Sequence, residues 1–329
     1  MEKTLKIANS FVFMAIAALG LACAATPEAI AGTPWTLSGA LTTHDPDIQL
    51  EGSTYWIMET TSDGGIGVKY SSNGTAWTQG SAIFGSGLSW WKTYNPSADP
   101  AQVWAPGCIN IDGTTGCYYA VSQFGSQKSA IGLTTSVGGI SAGKWVDQGA
   151  VITSSSSSAY NAIDPQPVTD YSGALWVSFG SAWDGIYITQ ANSSTFKPTG
   201  SKTNIARDTS QVVENSFIVK HVYNGKDYYY LFLSKGSCCS GSSSTYHIVV
   251  GRSQYIDGPY VDNNGTSMMD NGSGLTIASS GSRYIAPGGE SAISDTTMAW
   301  YALDSENSYN PVLFIETLSW NSNGWPNSL

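Results

Sequence analysis

Charge is scarce in this chain. Lys, Arg, Asp and Glu together make up 12% of 329 residues, and they sum to −10. So few cations argue against a nucleic-acid partner and against docking on an anionic membrane. A neutral polymer such as a polysaccharide meets no such repulsion. Sustained helical periodicity is also missing, because the apolar runs are mostly short, β-branched or aromatic and end at Gly, Asn, Asp or Pro. That pattern suits an extracellular all-β protein with many tight turns. Walker-type glycine loops and tetrahedral metal-ligand spacings are absent, and none of the three histidines, His44, His221 and His247, sits in a nucleophile motif.

Long hydrophobic runs are confined to the beginning. Lys3 and Lys6 precede an apolar stretch from Phe11 to Leu21, which is followed by Ala22-Cys23-Ala24. The stretch is short for a bilayer span and ends in small residues, so it predicts a secretory signal over 1–24 and an exported catalytic domain over 25–329. Of five cysteines, Cys23 leaves with that signal. Cys108 and Cys117 flank INIDGTTG, a hairpin-like turn, and are placed to bridge. Cys238 and Cys239 are adjacent, which leaves open reduced thiols, distant pairing or a vicinal bridge closing a strained ring.

What the chain does have is a repeat. THDPDI at 43–48, VWAPGC at 103–108, AIDPQP at 162–167, VVENSF at 212–217 and IAPGGES at 285–291 resemble one another, and each precedes a hairpin-like pair of strands. The fourth copy is the plainest: a run from Val213, an Asn224-Gly225 turn, and a second run over Tyr228 to Ser234. Spacings of roughly fifty to seventy residues match a four-stranded blade, so the expected fold is an all-β, five-bladed β-propeller. Inner strands of a propeller begin near one mouth of its channel, so Asp45, Asp164 and Glu214 are expected to converge there. Two carboxyl groups flanking a glycosidic bond suffice for its hydrolysis, and a third can tune the proton donor. The serine tract Ser154 to Ser158 reads as a flexible surface loop, and ETLSWNSNGWP at 316–326 as a segment pairing near Trp35 to close the ring.

These residues carry a resemblance. HDP, WAP, NAIDPQ, SFGSAWDGI, VEN followed by YYYLF, and CCSGSSSTYHIVVGRS resemble, in order along the chain, the endo-arabinanase branch of glycoside hydrolase family 43. The resemblance implies a secreted, monomeric endo-1,5-α-L-arabinanase that cuts arabinan, a pectin side-chain polysaccharide, with inversion. It makes Asp45 the general base, Glu214 the general acid and Asp164 the residue that raises the acid's pKa. Trp104 becomes a stacking platform, Asn161, Ile163 and Ser181 line a sugar subsite, and Cys238 and Cys239 fall where relatives form a vicinal bridge. Relatives often carry GPGHN with the His near a central calcium or sodium, whereas this chain reads Ala286-Pro287-Gly288-Gly289-Glu290, so no metal is expected as a requirement. Glu290 is left to pair with Arg283, reach a cation through water or point outward, with His247 as a substitute partner. Rival readings are an exo-acting arabinofuranosidase or β-xylosidase, and a sugar-binding propeller without catalysis.

Overall fold

The computed structural model describes residues 34–61, 64–97 and 102–329. The expected signal over 1–24 lies outside them. Five sheets follow one another along the chain, antiparallel except where Ser38–Gly39 joins the outer strand of the first in parallel. Their innermost strands are His44–Glu51, Trp104–Ile111, Gln166–Thr169, Val213–Tyr223 and Tyr284–Ile293, and these touch in ring order, the last against the first. The chain is therefore a five-bladed β-propeller. Each hairpin anticipated from the repeat is formed; in blade four, Val213–Tyr223 pairs with Lys226–Lys235 across the Asn224-Gly225 turn.

Blade five has three strands of its own, ending in Asn310–Thr317. Its fourth edge is supplied by the start of the described chain, where Trp35 N–H donates to Ile315 O at 2.8 Å and Leu313 N–H to Leu41 O at 2.9 Å. The expected closure near Trp35 holds for Glu316 and Thr317, through the Pro34–Glu316 bridge and the bond from Trp35 Nε1 to Thr317 Oγ1. It does not hold for the rest of the segment. Trp320 donates to Asp295 O, Trp325 packs edge-on against Tyr230, and Leu329 N–H reaches Ile277 O, so the tail covers the seam between blades four and five. Its apolar side chains find more surface to bury there than along a closing edge.

Wedge packing places one apolar cluster in each of the five seams. The Cys108–Cys117 disulfide joins paired residues on neighbouring strands and is buried in the cluster between blades one and two. Near the axis, polar stitches replace apolar contacts: Cys108 N–H to Asp47, Gln166 to Pro106 O, Ser216 to Ser178, Ser234 to Glu290 and Ser291 to Pro46 O, one for each seam. Buried polar groups need such partners, and these fix how neighbouring blades meet.

Backbone meets backbone closely where Gly107 faces blade three. A Cβ on Gly107 would lie 2.2 Å from the backbone oxygen of Pro165. Gly107→Ala must push the two blades apart and should cost about 1–3 kcal/mol. Thermal unfolding checks this, and an unchanged midpoint would contradict the contact.

Candidate active site

One local device recurs at the head of every inner strand. A non-glycine residue with positive φ stands there in each blade: Asp45 (φ 50°), Ala105 (36°), Asp164 (54°), Asn215 (54°) and Ala286 (53°). In four of the five blades the strand pairing skips at this point, between His44 and Asp47, Trp104 and Gly107, Glu214 and Phe217, and Ile285 and Gly288. Such a bulge re-aims the side chains around it. Asp and Asn tolerate the left-handed region because a short polar side chain can bond locally, whereas alanine has no such compensation. The frame also corrects the simple alignment of acids: Asn215, not Glu214, occupies the place of Asp45 and Asp164. Glu214 stands one residue earlier, in the place of His44, Trp104 and Ile163.

A cavity of about 1020 Å³ opens over these strand heads and draws its walls from all five blades. Asp45, Asp164, Glu214, Trp104, Asn161, Ile163, Ser181, Cys238 and Cys239 all line it. Trp104 is half-buried at the head of blade two's inner strand. The Asn161 carbonyl oxygen accepts from Ser129 Oγ at 2.7 Å and Ser154 Oγ at 3.4 Å, which orients the amide on the cleft wall. Ser154 is thereby part of the site's support. It is buried and also accepts from Ala162 N–H at 2.9 Å, so the serine tract begins as an anchored segment, contrary to its reading as loop throughout. Ser181 Oγ donates to Glu214 Oε2. Cys238 and Cys239 are bonded to each other and also line the cavity.

Several residues of the site lacked a role in the sequence reading. His44 Nδ1 lies 2.8 Å from Asp45 Oδ2, its ring stacks at 4.2 Å on Tyr301, and its Nε2 is 3.6 Å from Cys239 Sγ. Thr60 donates to Asp45 Oδ2 at 2.7 Å and Asn215 Nδ2 to Asp45 Oδ1 at 2.9 Å. Asn215 also gives its backbone N–H to Asp164 Oδ2 at 3.2 Å, so a single residue ties two of the acids together. His44 and Asn215 lie inside the HDP and VEN motifs, where the repeat frame could have flagged them. Thr60 and Tyr301 carry no local signal at all. Phe124 and Trp183 complete the walls as aromatic residues 85% and 46% exposed, faces on which a sugar can lie.

Electrostatics separate the acids. Burial acts to raise Asp45, but the His44 charge and the bonds from His44, Thr60 and Asn215 outweigh it and hold the carboxyl below its usual range. His44 is raised in turn: burial pulls it down, and Asp45, Glu214 and Glu59 more than offset that. Glu214 is pushed up to about 7 by burial, with the Ser181 bond opposing and Asp45 reinforcing the rise. Asp164 is driven up by burial and then by Glu214 and Asp45. Two interacting carboxyl groups in one buried place retain a proton between them near neutrality. The site thus presents an ionised Asp45 and a protonated Glu214 at the same pH, the split that acid and base roles require.

Gly289 stands where the resemblance puts a cation-binding histidine. A Cβ there would lie 2.6 Å from the Tyr301 ring and 2.9 Å from Asp45 Oδ1, so that space is already filled. Glu290 follows it into the interior, fully buried, accepting from Ser234 Oγ at 2.9 Å. Burial pushes its carboxyl up to about 8. Of the alternatives left for Glu290, pairing with Arg283 does not occur: Arg283 forms a two-pronged bond to Asp304 at 2.9 and 2.7 Å and also meets Glu306. His247 turns to Thr245 O at 3.3 Å and is no part of the cavity wall. His44, Cys238 and Cys239 cluster within 4.8 Å, yet both sulfurs are held in the disulfide. The residues present do not fit a histidine-held central ion.

Fold and site together define a propeller with an acid–base carboxyl set in a cleft, the class to which glycoside hydrolases of this architecture belong. Comparison with known proteins agrees: the model of "Glycosyl hydrolases family 43" matches residues 39–326. The chain belongs to that family. It is 40% identical over 327 residues to an extracellular endo-α-(1→5)-L-arabinanase of Bacillus subtilis, covering 99% of this chain and 98% of the relative. It is 33% identical over 299 residues to an extracellular exo-α-(1→5)-L-arabinofuranosidase of Cellvibrio japonicus, covering 86% and 85%. Among solved structures, an endo-arabinanase from Bacillus licheniformis superposes with a TM-score of 0.83 at 41% identity, covering 89% of this chain and 99% of that one.

Both arms of the charge split are testable through pH profiles of kcat/KM. Ser181→Ala removes a bond that favours ionised Glu214, so the alkaline limb should move to higher pH. His44→Phe keeps a ring on Tyr301 but removes the charge that holds Asp45 down, so the acid limb should also move up. Limbs that stay where they are in both variants would contradict the assignment of the two shifts.

Proposed function

We propose that this protein is a secreted endo-1,5-α-L-arabinanase that hydrolyses internal linkages of linear arabinan by single displacement with inversion. The observation that carries the reading is the opposite protonation of Asp45 and Glu214 on one cavity, in a chain similar over nearly its whole length to an extracellular endo-arabinanase. Glu214 protonates the departing glycosidic oxygen, and Asp45 takes the proton of the attacking water. Asp164, itself driven up by burial and by Glu214, stands beside the acid and, through Asn215, shares its framework with the base. A water must fit between base and sugar, which asks for a separation of roughly 6.5–9.5 Å between the two carboxyl groups. The chemistry is assigned to carboxyl groups alone.

Room for several sugars favours internal cleavage, because a cavity of about 1020 Å³ exceeds what one furanose fills. The exo-acting relative keeps end trimming as the second reading. Linear arabinan should yield a ladder of short oligosaccharides; arabinose alone would assign the exo mode, and binding without new reducing ends would make the protein a lectin-like propeller. Proton NMR of the first product should show the inverted β-anomer, and retention would remove Asp45 from the role of base.

Activity should fall as pH rises through about 7, because Glu214 loses its proton there. It should persist well into acid, because Asp45 stays ionised below the usual carboxylate range. Asp45→Asn and Glu214→Gln should each lower kcat by about 10²–10⁴-fold, with KM little changed. A Glu214→Gln enzyme of undiminished kcat would refute the mechanism.

A further inference from the structure

A second groove, of about 400 Å³, runs down the seam between blades one and two. Three aromatic residues flank it: Trp56 and Tyr70 from the middle strands of blade one, and Trp145 from the outer strand of blade two. Tyr70 is 40% exposed and the two tryptophans are half-buried. The Trp56 and Tyr70 rings lie 5.8 Å apart and are tilted by 47°, so they form a bent surface. Between them the lining is small, with Gly80, Ser81, Ala82 and Ser141, which leaves ring faces and backbone open. No charged side chain lines the groove.

Two further observations point to what it takes. Gly80 and Ala82 line both this groove and the cleft above the acids, so the two adjoin along one rim. Its far wall is also built in advance, because the Glu51 carboxylate accepts the backbone N–H groups of Ile140 and Ser141, both at 2.8 Å. An uncharged, aromatic trough with a fixed wall suits a neutral ligand that has apolar faces and hydroxyl edges.

We propose that the seam between blades one and two is a second binding site for the neutral polysaccharide, holding the same chain beyond the sugars that fill the cleft. This rests on the arabinan reading above. Its consequence is a selective one. A chain long enough to leave the cleft over Gly80 and Ala82 gains extra stacking; a short oligosaccharide does not.

Tyr70→Ala and Trp145→Ala, singly and combined, test it by three measurements: kcat/KM on linear arabinan, kcat/KM on a short arabino-oligosaccharide, and mobility in native gels cast with arabinan. The double variant should lose about three- to tenfold on the polymer, mostly in KM, keep wild-type rates on the oligosaccharide, and migrate with less retardation. Tyr70 is exposed, so its variant keeps the test valid even if the tryptophan replacement fails to fold. An unchanged polymer-to-oligosaccharide ratio together with unchanged retardation would overturn the proposal. So would a concentration-dependent dimer dissolved by either substitution, which would assign the groove to a second copy of the chain. Gel retardation needs no turnover, so a wild-type chain that binds arabinan but never cuts it would refute the catalytic reading and leave the groove to be decided by the variants' mobility.

Discussion

The backbone at the head of each inner strand must turn through the left-handed region, and this constraint positions the rest of the site. In blades one, three and four both the turning residue and the residue before it line the cleft. Three of the five turning residues are Asp45, Asp164 and Asn215, whose side chains suit that conformation and also build the polar centre. In blades two and five the same conformation falls on Ala105 and Ala286, at a cost of about 1–2 kcal/mol each that the ring geometry imposes. Strain of this kind persists only where surrounding structure over-determines it. The five seams and their axial stitches do so here.

From that frame the electrostatic division follows. Every acid near the axis is wholly or partly buried, and burial alone would raise them all. Asp45 escapes because His44, Thr60 and Asn215 surround it with donors and positive charge. Glu214 has one hydroxyl, from Ser181, and stays protonated to about 7. The His44 charge and then the hydrogen-bond inventory, more than depth, decide which carboxyl acts as acid and which as base. Glu290 and Tyr301 extend the polar floor beneath them. Among the described residues, Glu290 Oε1 and Tyr301 Oη find no hydrogen-bond partner.

The propeller was legible because its repeat is written in local chemistry: an extended run, a turn residue and a strand head carrying Asp, Asn or Ala recur in every blade. Asp45 and Asp164 could be located from Asp-Pro at the start of a repeat, a position that the third Asp-Pro, at Asp99, lacks. Glu214 could be located as an acid at a blade head, but its offset by one residue could not, since the bulge is a property of strand pairing. Thr60 and Tyr301 were invisible because their role comes from strands that meet across the ring. The alternatives of Glu290 pairing with Arg283 or pointing outward fail for the same reason: Arg283 finds Asp304 on the adjacent strand, while Glu290 is buried. The tail from Leu318 onward followed apolar area, not hydrogen-bonding edges, and sequence pattern ranks those poorly against each other.

The most direct test of the account is a carbon-detected NMR titration of the site carboxyl groups in the intact protein. The account predicts that Asp45 stays ionised to below its ordinary 3.8 while Glu214 keeps its proton until about 7. Two carboxyl groups titrating together near 4 would contradict it.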